Sequence, residues 1–159
     1  MRTLIKNGTL VSASDTVVAD MMIENGKIAL IGQDMWDDDA ETIDASGKLL
    51  LPGGIDVHTH LDLPFGGTVS SDDFFTGHRA AAFGGTTTHL DFVIQPIGGS
   101  LHDGIAAWHA KADSKAAIDY GFHIAITDLR DDVMAEIPSV VDEGITSLKL
   151  FMAYKGVFQ

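Results

Sequence analysis

The chain has 159 residues, is 45% hydrophobic, carries a formal net charge of −13 and has no cysteine. That hydrophobic content suffices for an ordinary globular core, and the acidity argues against nucleic-acid or anionic-membrane binding, both of which need a basic patch. Without cysteine there is no disulfide framework and no thiolate metal site, so a metal would have to be held by His, Asp, Glu or a modified Lys.

The N-terminal run Met1-Arg2-Thr3-Leu4-Ile5-Lys6-Asn7 lacks the apolar core of a secretory signal. No apolar run reaches the roughly 18 residues of a membrane helix, so a cytoplasmic location is expected. Residues 1–50 read as short strands with tight turns. Thr3 to Lys6 leads through Asn7-Gly8 into Thr9 to Ser12, and Val17 to Glu24 leads through Asn25-Gly26 into Lys27 to Ile31. Asn-Gly between apolar runs signals a hairpin, because type I′ turns need positive φ at both central residues. Asp34 to Glu41 is an acidic loop with Trp36 as its anchor, and Thr42 to Asp44 and Lys48 to Leu51 are two further strands. Pro52-Gly53-Gly54 marks a boundary.

From residue 54 onward strands alternate with helices. Ile55 to His60 is a strand. Asp72 to Phe83 is a helix with Ser70 or Ser71 as N-cap and Gly84 as terminator. Thr86 to Ile94 is a β-branched strand, Leu101 to Ile118 an alanine-rich helix, and Tyr120 to Thr127 a strand. Asp131 to Glu143 has apolar residues at helical spacing, with a kink or two pieces expected at Pro138. Thr146 to Met152 is the fourth strand. This alternation implies βαβ units on a parallel sheet. A complete (β/α)8 barrel needs about 250 residues, and residues 54–159 offer less than half of that. The expected fold is therefore α/β: the first half of a (β/α)8 barrel over residues 54–159, preceded by an N-terminal β-sandwich portion over residues 1–53. The chain is expected to be an N-terminal fragment, inactive alone. A small complete α/β domain is the alternative, less favoured because its last strand would be a raw apolar edge.

His58-Thr59-His60 carries the most chemistry. Alternate strand residues share a face, so the two imidazoles lie on one side, about 7 Å apart at Cα, and can converge on one ion. Zinc accepts neutral imidazole nitrogen at about 2.0–2.1 Å. By the same alternation Ile55, Val57 and Thr59 face packing. Taken alone, a His-x-His match is more often two incidental histidines. In a (β/α)8 barrel, however, active sites lie at the C-terminal strand ends, and these residues end the first strand. Lys149 lies in the fourth strand and projects opposite to Leu148 and Leu150. It is either a snorkelling edge residue or a buried cation that needs neutralising, for which carbamylation by carbon dioxide is one route. Asp56 shares the histidine face, as an acceptor behind a ligand imidazole or as a floor residue. Tyr154 follows on the next loop, either a packing residue or a hydroxyl able to donate to an oxyanion.

These segments resemble a known family. Asp44-Ala45-Ser46-Gly47-Lys48, followed by Leu51-Pro52-Gly53-Gly54-Ile55-Asp56-Val57-His58-Thr59-His60, is similar to the opening signature of the cyclic amidohydrolases. Leu61-Asp62-Leu63-Pro64-Phe65-Gly66-Gly67-Thr68 and Ser147-Leu148-Lys149 through Tyr154-Lys155 resemble dihydropyrimidinases and D-hydantoinases more narrowly. The resemblance spans nearly the whole chain. It implies a barrel joined to a sandwich built from both chain ends, and a site for two zinc ions per subunit. His58 and His60 match metal ligands, and Lys149 matches a bridging N6-carboxylysine. Tyr154 matches the hydroxyl that polarises the scissile carbonyl, and Phe65, Phe151 and Phe158 match positions around the substrate's side group. Two further histidine ligands and a proton-handling aspartate would lie beyond Gln159. His89 is read as a neutral departure from the family pattern. The implied activity is zinc-dependent opening of 5,6-dihydropyrimidine or hydantoin rings to N-carbamoyl amino acids by a homo-oligomer, a tetramer or dimer. Alternatives are an allantoinase- or dihydroorotase-like enzyme, or a non-catalytic oligomeric scaffold relative.

Overall fold

The structure is a computed structural model that describes residues 1–153. The chain divides into two compact units, Met1–Pro52 and the residues from Gly53 onward.

The first unit is one five-stranded mixed sheet. Its strands are β1 (Arg2–Val11), β2 (Thr16–Glu24), β3 (Lys27–Gly32), β4 (Glu41–Asp44) and β5 (Leu49–Leu50). They run in the order β3-β2-β1-β4, with β5 also paired to β1. Asn25 and Gly26 both have positive φ, 52° and 77°, and join β2 to β3 as the expected type I′ hairpin. Asn7-Gly8 differs from expectation. β1 runs straight through it, and the irregularity is a shift in the β1–β2 register between Ile5 and Gly8. Asn7 takes its positive φ of 62° inside the strand, and its N–H donates to the Asp20 carboxylate at 2.8 Å. A second amide, Met35 N, donates to the same group, and the two hold Asp20 below the usual carboxylate range. A side chain at residue 8 would come within 2.5 Å of Leu50, which is why this bulge carries glycine. Trp36 is 76% exposed and anchors nothing. Ile5, Leu10, Met21, Ile23, Ile28 and Leu49 line an open apolar hollow of about 660 Å³ on the sheet. Among the described residues, this first unit is thus a single sheet layer.

The second unit alternates strand and helix. In chain order its elements are β6 (Gly54–Thr59), the hairpin β7 (Pro64–Phe65) and β8 (Thr68–Val69), α1 (Phe74–Phe83), β9 (Thr86–Ile94), α2 (Leu101–Ala112), β10 (Asp119–Ile126), α3 (Asp131–Asp142) and β11 (Leu148–Leu150). The four long-range strands form an all-parallel sheet in the order β11-β10-β9-β6. Each strand therefore lies beside its predecessor. That sequential order is consistent with the first half of a (β/α)8 barrel and lacks the strand-order reversal of a doubly wound sheet. Among the described residues no helix is long and apolar enough to cross a membrane.

The core lies between sheet and helices, with Phe74, Val93, Leu101, Trp108, Ile124, Val133 and Val140 all buried. Ile55 and Val57, expected to pack, are 65% and 55% exposed; β6 ends the described strand order and has one strand neighbour.

Three helix details depart from the sequence reading. α1 starts at Phe74 because Asp73, not Ser70 or Ser71, caps it: its carboxylate accepts from Thr76 N while the Thr76 hydroxyl closes a capping box. α2 ends at Ala112 rather than Ile118, because the amides of Ala117 and Ile118 leave the helix and donate to His78 Nδ1 at 3.2 and 3.4 Å. α3 runs through Pro138 as one element. The proline's missing N–H deprives only the Met134 carbonyl, on an exposed residue.

His78 is fully buried, and its ring meets that of buried His89 edge-on at 4.8 Å. His89 is thus half of an internal imidazole pair. Burial, and secondarily the charge of His89, lower the His78 pKa. The unfolded chain takes up a proton near pH 6.5 where the folded chain resists it, so the stability is present above that pH and declines as pH falls toward the folded value. His60 is shifted the same way. Urea unfolding is expected to give a lower midpoint at pH 5 than at pH 7. His78→Asn, which keeps an acceptor near Nδ1 without titrating, should flatten that dependence; an unchanged pH profile would refute the assignment.

Candidate active site

The sheet has two faces, and the register assigns side chains to them. His123 pairs with Phe92 and Lys149 pairs with Ala125, so Phe92, His123 and Lys149 share one face. Phe122 pairs with Asp91, and both point toward the helices, as does Thr59, which also pairs with Asp91. His58 and His60 flank Thr59 and project with Phe92.

The contacts agree with this parity. The His58 and His60 rings lie 5.2 Å apart, and their distances to the Phe92 ring are 4.6 and 5.3 Å. Lys149 Nζ sits 4.2 Å above the same ring and 5.0 Å from the Phe151 ring. His58, Phe92, His123, Ser147 and Lys149 line an open cleft of about 410 Å³ on this side of the sheet. His60 stands next to His58, with its Nδ1 enclosed and lacking a hydrogen-bond partner. Burial, and then the Lys149 charge, lower the His60 pKa, favouring the neutral, metal-binding form of the ring. Asp56 accepts a hydrogen bond from the backbone N–H of His58 at 3.1 Å.

His123 has a different status. Its Nε2 donates to the Val57 carbonyl at 3.0 Å, so its Nδ1 accepts from the Ser147 hydroxyl. Both nitrogens are consumed, and the ring braces β6 against the β11 end of the sheet. Sequence reasoning assigned it no role; only the pairing register reveals it. Asp91 was missed as well. It is fully buried and accepts from the Thr59 hydroxyl, Leu61 N and the Trp108 indole.

Among the described residues no group of three or more His, Asp or Glu is arranged to hold a metal ion. The donors that fit one are two imidazoles, one with an orphaned nitrogen, beside a lysine that forms no ion pair among the described residues.

No protein-family model matches the chain. Individual proteins do. A D-hydantoinase from Geobacillus stearothermophilus is 58% identical over 160 residues, covering 100% of this chain and 34% of that protein. A dihydropyrimidinase from Arabidopsis thaliana is 46% identical over 98% of this chain and 29% of its own length. The crystal structure of dihydropyrimidinase from Brevibacillus agri NCHU1002 superposes with a TM-score of 0.96 at 60% identity, over 100% of this chain and 35% of that one. Along its whole length the chain is therefore similar to proteins named D-hydantoinase or dihydropyrimidinase. It spans about a third of the length of the curated relatives it matches.

Phe65 lies on the β7–β8 hairpin, whose turn Gly66-Gly67 has φ of 62° and 81°, and it is half exposed. Phe151 follows β11 directly. Tyr154 and Phe158 lie outside the described residues. The structure thus brings His58, His60 and Lys149 together around Phe92.

Proposed function

We propose that this chain contributes the first metal-binding segment of a zinc-dependent hydrolase that opens 5,6-dihydropyrimidine or hydantoin rings to N-carbamoyl amino acids. The observation that carries the reading is the convergence of His58, His60 and Lys149 on the Phe92 ring, in a chain 58% identical to a D-hydantoinase.

His58 and His60 would hold a metal through neutral ring nitrogens. Lys149 as an ammonium would repel the same ion. Carbamylation reverses its sign: the neutral amine adds to the carbon of carbon dioxide, a proton leaves, and an anionic carboxylate results. When bound, two zinc ions would supply an activated water and polarise the ring carbonyl. His123 is tied to Val57 and Ser147, so its part is to brace the strands. Tyr154 would donate its hydroxyl to the developing oxyanion, and Phe65, Phe151 and Phe158 would enclose the substituent on the ring. The remaining ligands, two histidines and an aspartate, would come from outside these residues. The same reading extends to a homo-oligomeric, cytoplasmic protein in which β1–β5 form one layer of a β-sandwich.

The test is a substrate panel on the full-length protein. Dihydrouracil and hydantoin should be opened well, allantoin and dihydroorotate poorly. Preferential turnover of allantoin or dihydroorotate would move the protein to another branch of ring-opening hydrolases. Full-length protein without zinc and without turnover would exclude catalysis.

A further inference from the structure

Asp91 is a fully buried carboxylate on the helix-facing side of β9, opposite the face that carries the imidazoles. A buried anion is costly unless it is paired or fully hydrogen-bonded. Three donors satisfy it here. Its Oδ2 accepts from the Thr59 hydroxyl and from Leu61 N, both at 2.8 Å, and its Oδ1 accepts from Trp108 Nε1 at 3.1 Å. Thr59 and Leu61 are the two chain neighbours of His60. One carboxylate oxygen therefore holds the chain on both sides of that histidine, through the Thr59 side chain before it and the Leu61 backbone after it. The grip is in turn seated on α2. Lys111 stacks on the Trp108 ring, with Nζ 3.9 Å from its centroid, and donates to the carbonyl of Asp62 at 2.9 Å. Lys115 pairs with the Asp62 carboxylate at 3.1 Å.

We propose that Asp91 is a positioning residue for the reaction: it fixes the direction of His60 by clamping residues 59 and 61, and so sets the geometry of that metal ligand. The inference rests on the functional reading above. Packing alone does not explain the choice of residue. All three partners are donors, and only a carboxylate offers acceptors to all of them. An asparagine here has one oxygen. With that oxygen toward Thr59 and Leu61, its NH2 opposes the Trp108 N–H; flipped, it opposes the Leu61 amide. Either way one buried donor meets another. Trp108→Phe removes the opposing donor and lets an asparagine turn its oxygen toward residues 59 and 61. The structure thus makes an unusual demand: a second substitution, itself deleting a hydrogen bond, repairs the first.

The experiment uses the full-length protein and compares wild type, Asp91→Asn, Trp108→Phe, the Asp91→Asn/Trp108→Phe double variant, Thr59→Val and, as a control, His60→Ala. The readouts are zinc affinity by chelator competition on folded protein, kcat and KM for hydantoin, and the urea midpoint of the metal-free form. Asp91→Asn is expected to weaken zinc binding about 10–100-fold, the usual effect of losing a partner behind the ligands, and to lower kcat with little change in KM. The double variant should regain a large part of the lost affinity. Thr59→Val, which leaves the carboxylate intact, should weaken zinc in the same direction and by less, and it keeps the test open if Asp91→Asn does not fold. Wild-type affinity and kcat in folded Asp91→Asn or Thr59→Val would overturn the inference, as would a lowered urea midpoint with unchanged affinity. Zinc binding lost in His60→Ala but retained in Asp91→Asn overturns this inference alone. A wild-type protein that neither binds zinc nor opens a cyclic amide overturns the functional reading and this inference with it.

Discussion

Replacing Lys149 with alanine in the full-length protein is expected to abolish hydantoin turnover and to strip most of the zinc. The expectation follows from charge. Lys149 Nζ lies over the Phe92 ring, the ring that both candidate ligand histidines also contact. An unmodified ammonium there would disfavour a divalent cation, whereas a carbamate would attract and bridge metal. Removing the side chain removes the anion, and neither imidazole can replace it. A small carboxylic acid added to the variant should restore part of the activity by occupying the vacated space, and Lys149→Arg, which cannot form the same carbamate, should stay inactive. Elemental analysis alongside the turnover assay checks this. Full zinc occupancy with normal ring opening in Lys149→Ala would exclude a carbamate role.

Phe74→Ala should cost about 3–5 kcal/mol of stability, the range for truncating a buried aromatic, against a typical total of about 5–15 kcal/mol. Phe74 is completely buried and packs on the His78 and Tyr120 rings, 5.5 and 6.0 Å between centroids. Its neighbour supplies the control. Phe75 is 48% exposed and offers its ring to Arg79 at 5.6 Å, a contact worth about 0.5–1 kcal/mol at an exposed site. Phe75→Ala should therefore shift a denaturant midpoint only slightly. Similar losses from the two adjacent phenylalanines would mean that the burial of α1 is misjudged.

Much of the architecture is legible in the sequence. β9 runs from Thr86 to Ile94 as its β-branched, apolar run indicated. Asn25-Gly26 made its hairpin, because only residues tolerant of positive φ fit that turn, and the demand is local. Asn7-Gly8 has the same dipeptide and made a bulge instead. There the deciding partner was the Asp20 carboxylate, 13 residues away, which no local signal announces. α2 ends at Ala112, earlier than its sequence pattern predicts, for a similar reason. Lys115-Ala116-Ala117 has good helical propensity, yet the amides of Ala117 and Ile118 are claimed by His78 from α1.

The candidate site divides along the same line. Period-two alternation placed His58 and His60 on one face, since backbone pleating alone sets that parity. The family resemblance singled out Lys149. Neither could distinguish His123 from the other histidines or give Asp91 a role, because both are defined by partners on other strands and helices. His123 is occupied through Val57 and Ser147, and Asp91 through Thr59, Leu61 and Trp108. By itself, then, the sequence determined that His58 and His60 share a face, because local backbone geometry dictates it, but not the face of Asp56, which pairs with His89 across a register shift before Thr59. Which of those side chains remain free to bind, and what holds them in place, was decided by the tertiary structure, because hydrogen-bond partners 17 to 66 residues apart in sequence meet only when the sheet and its helices assemble.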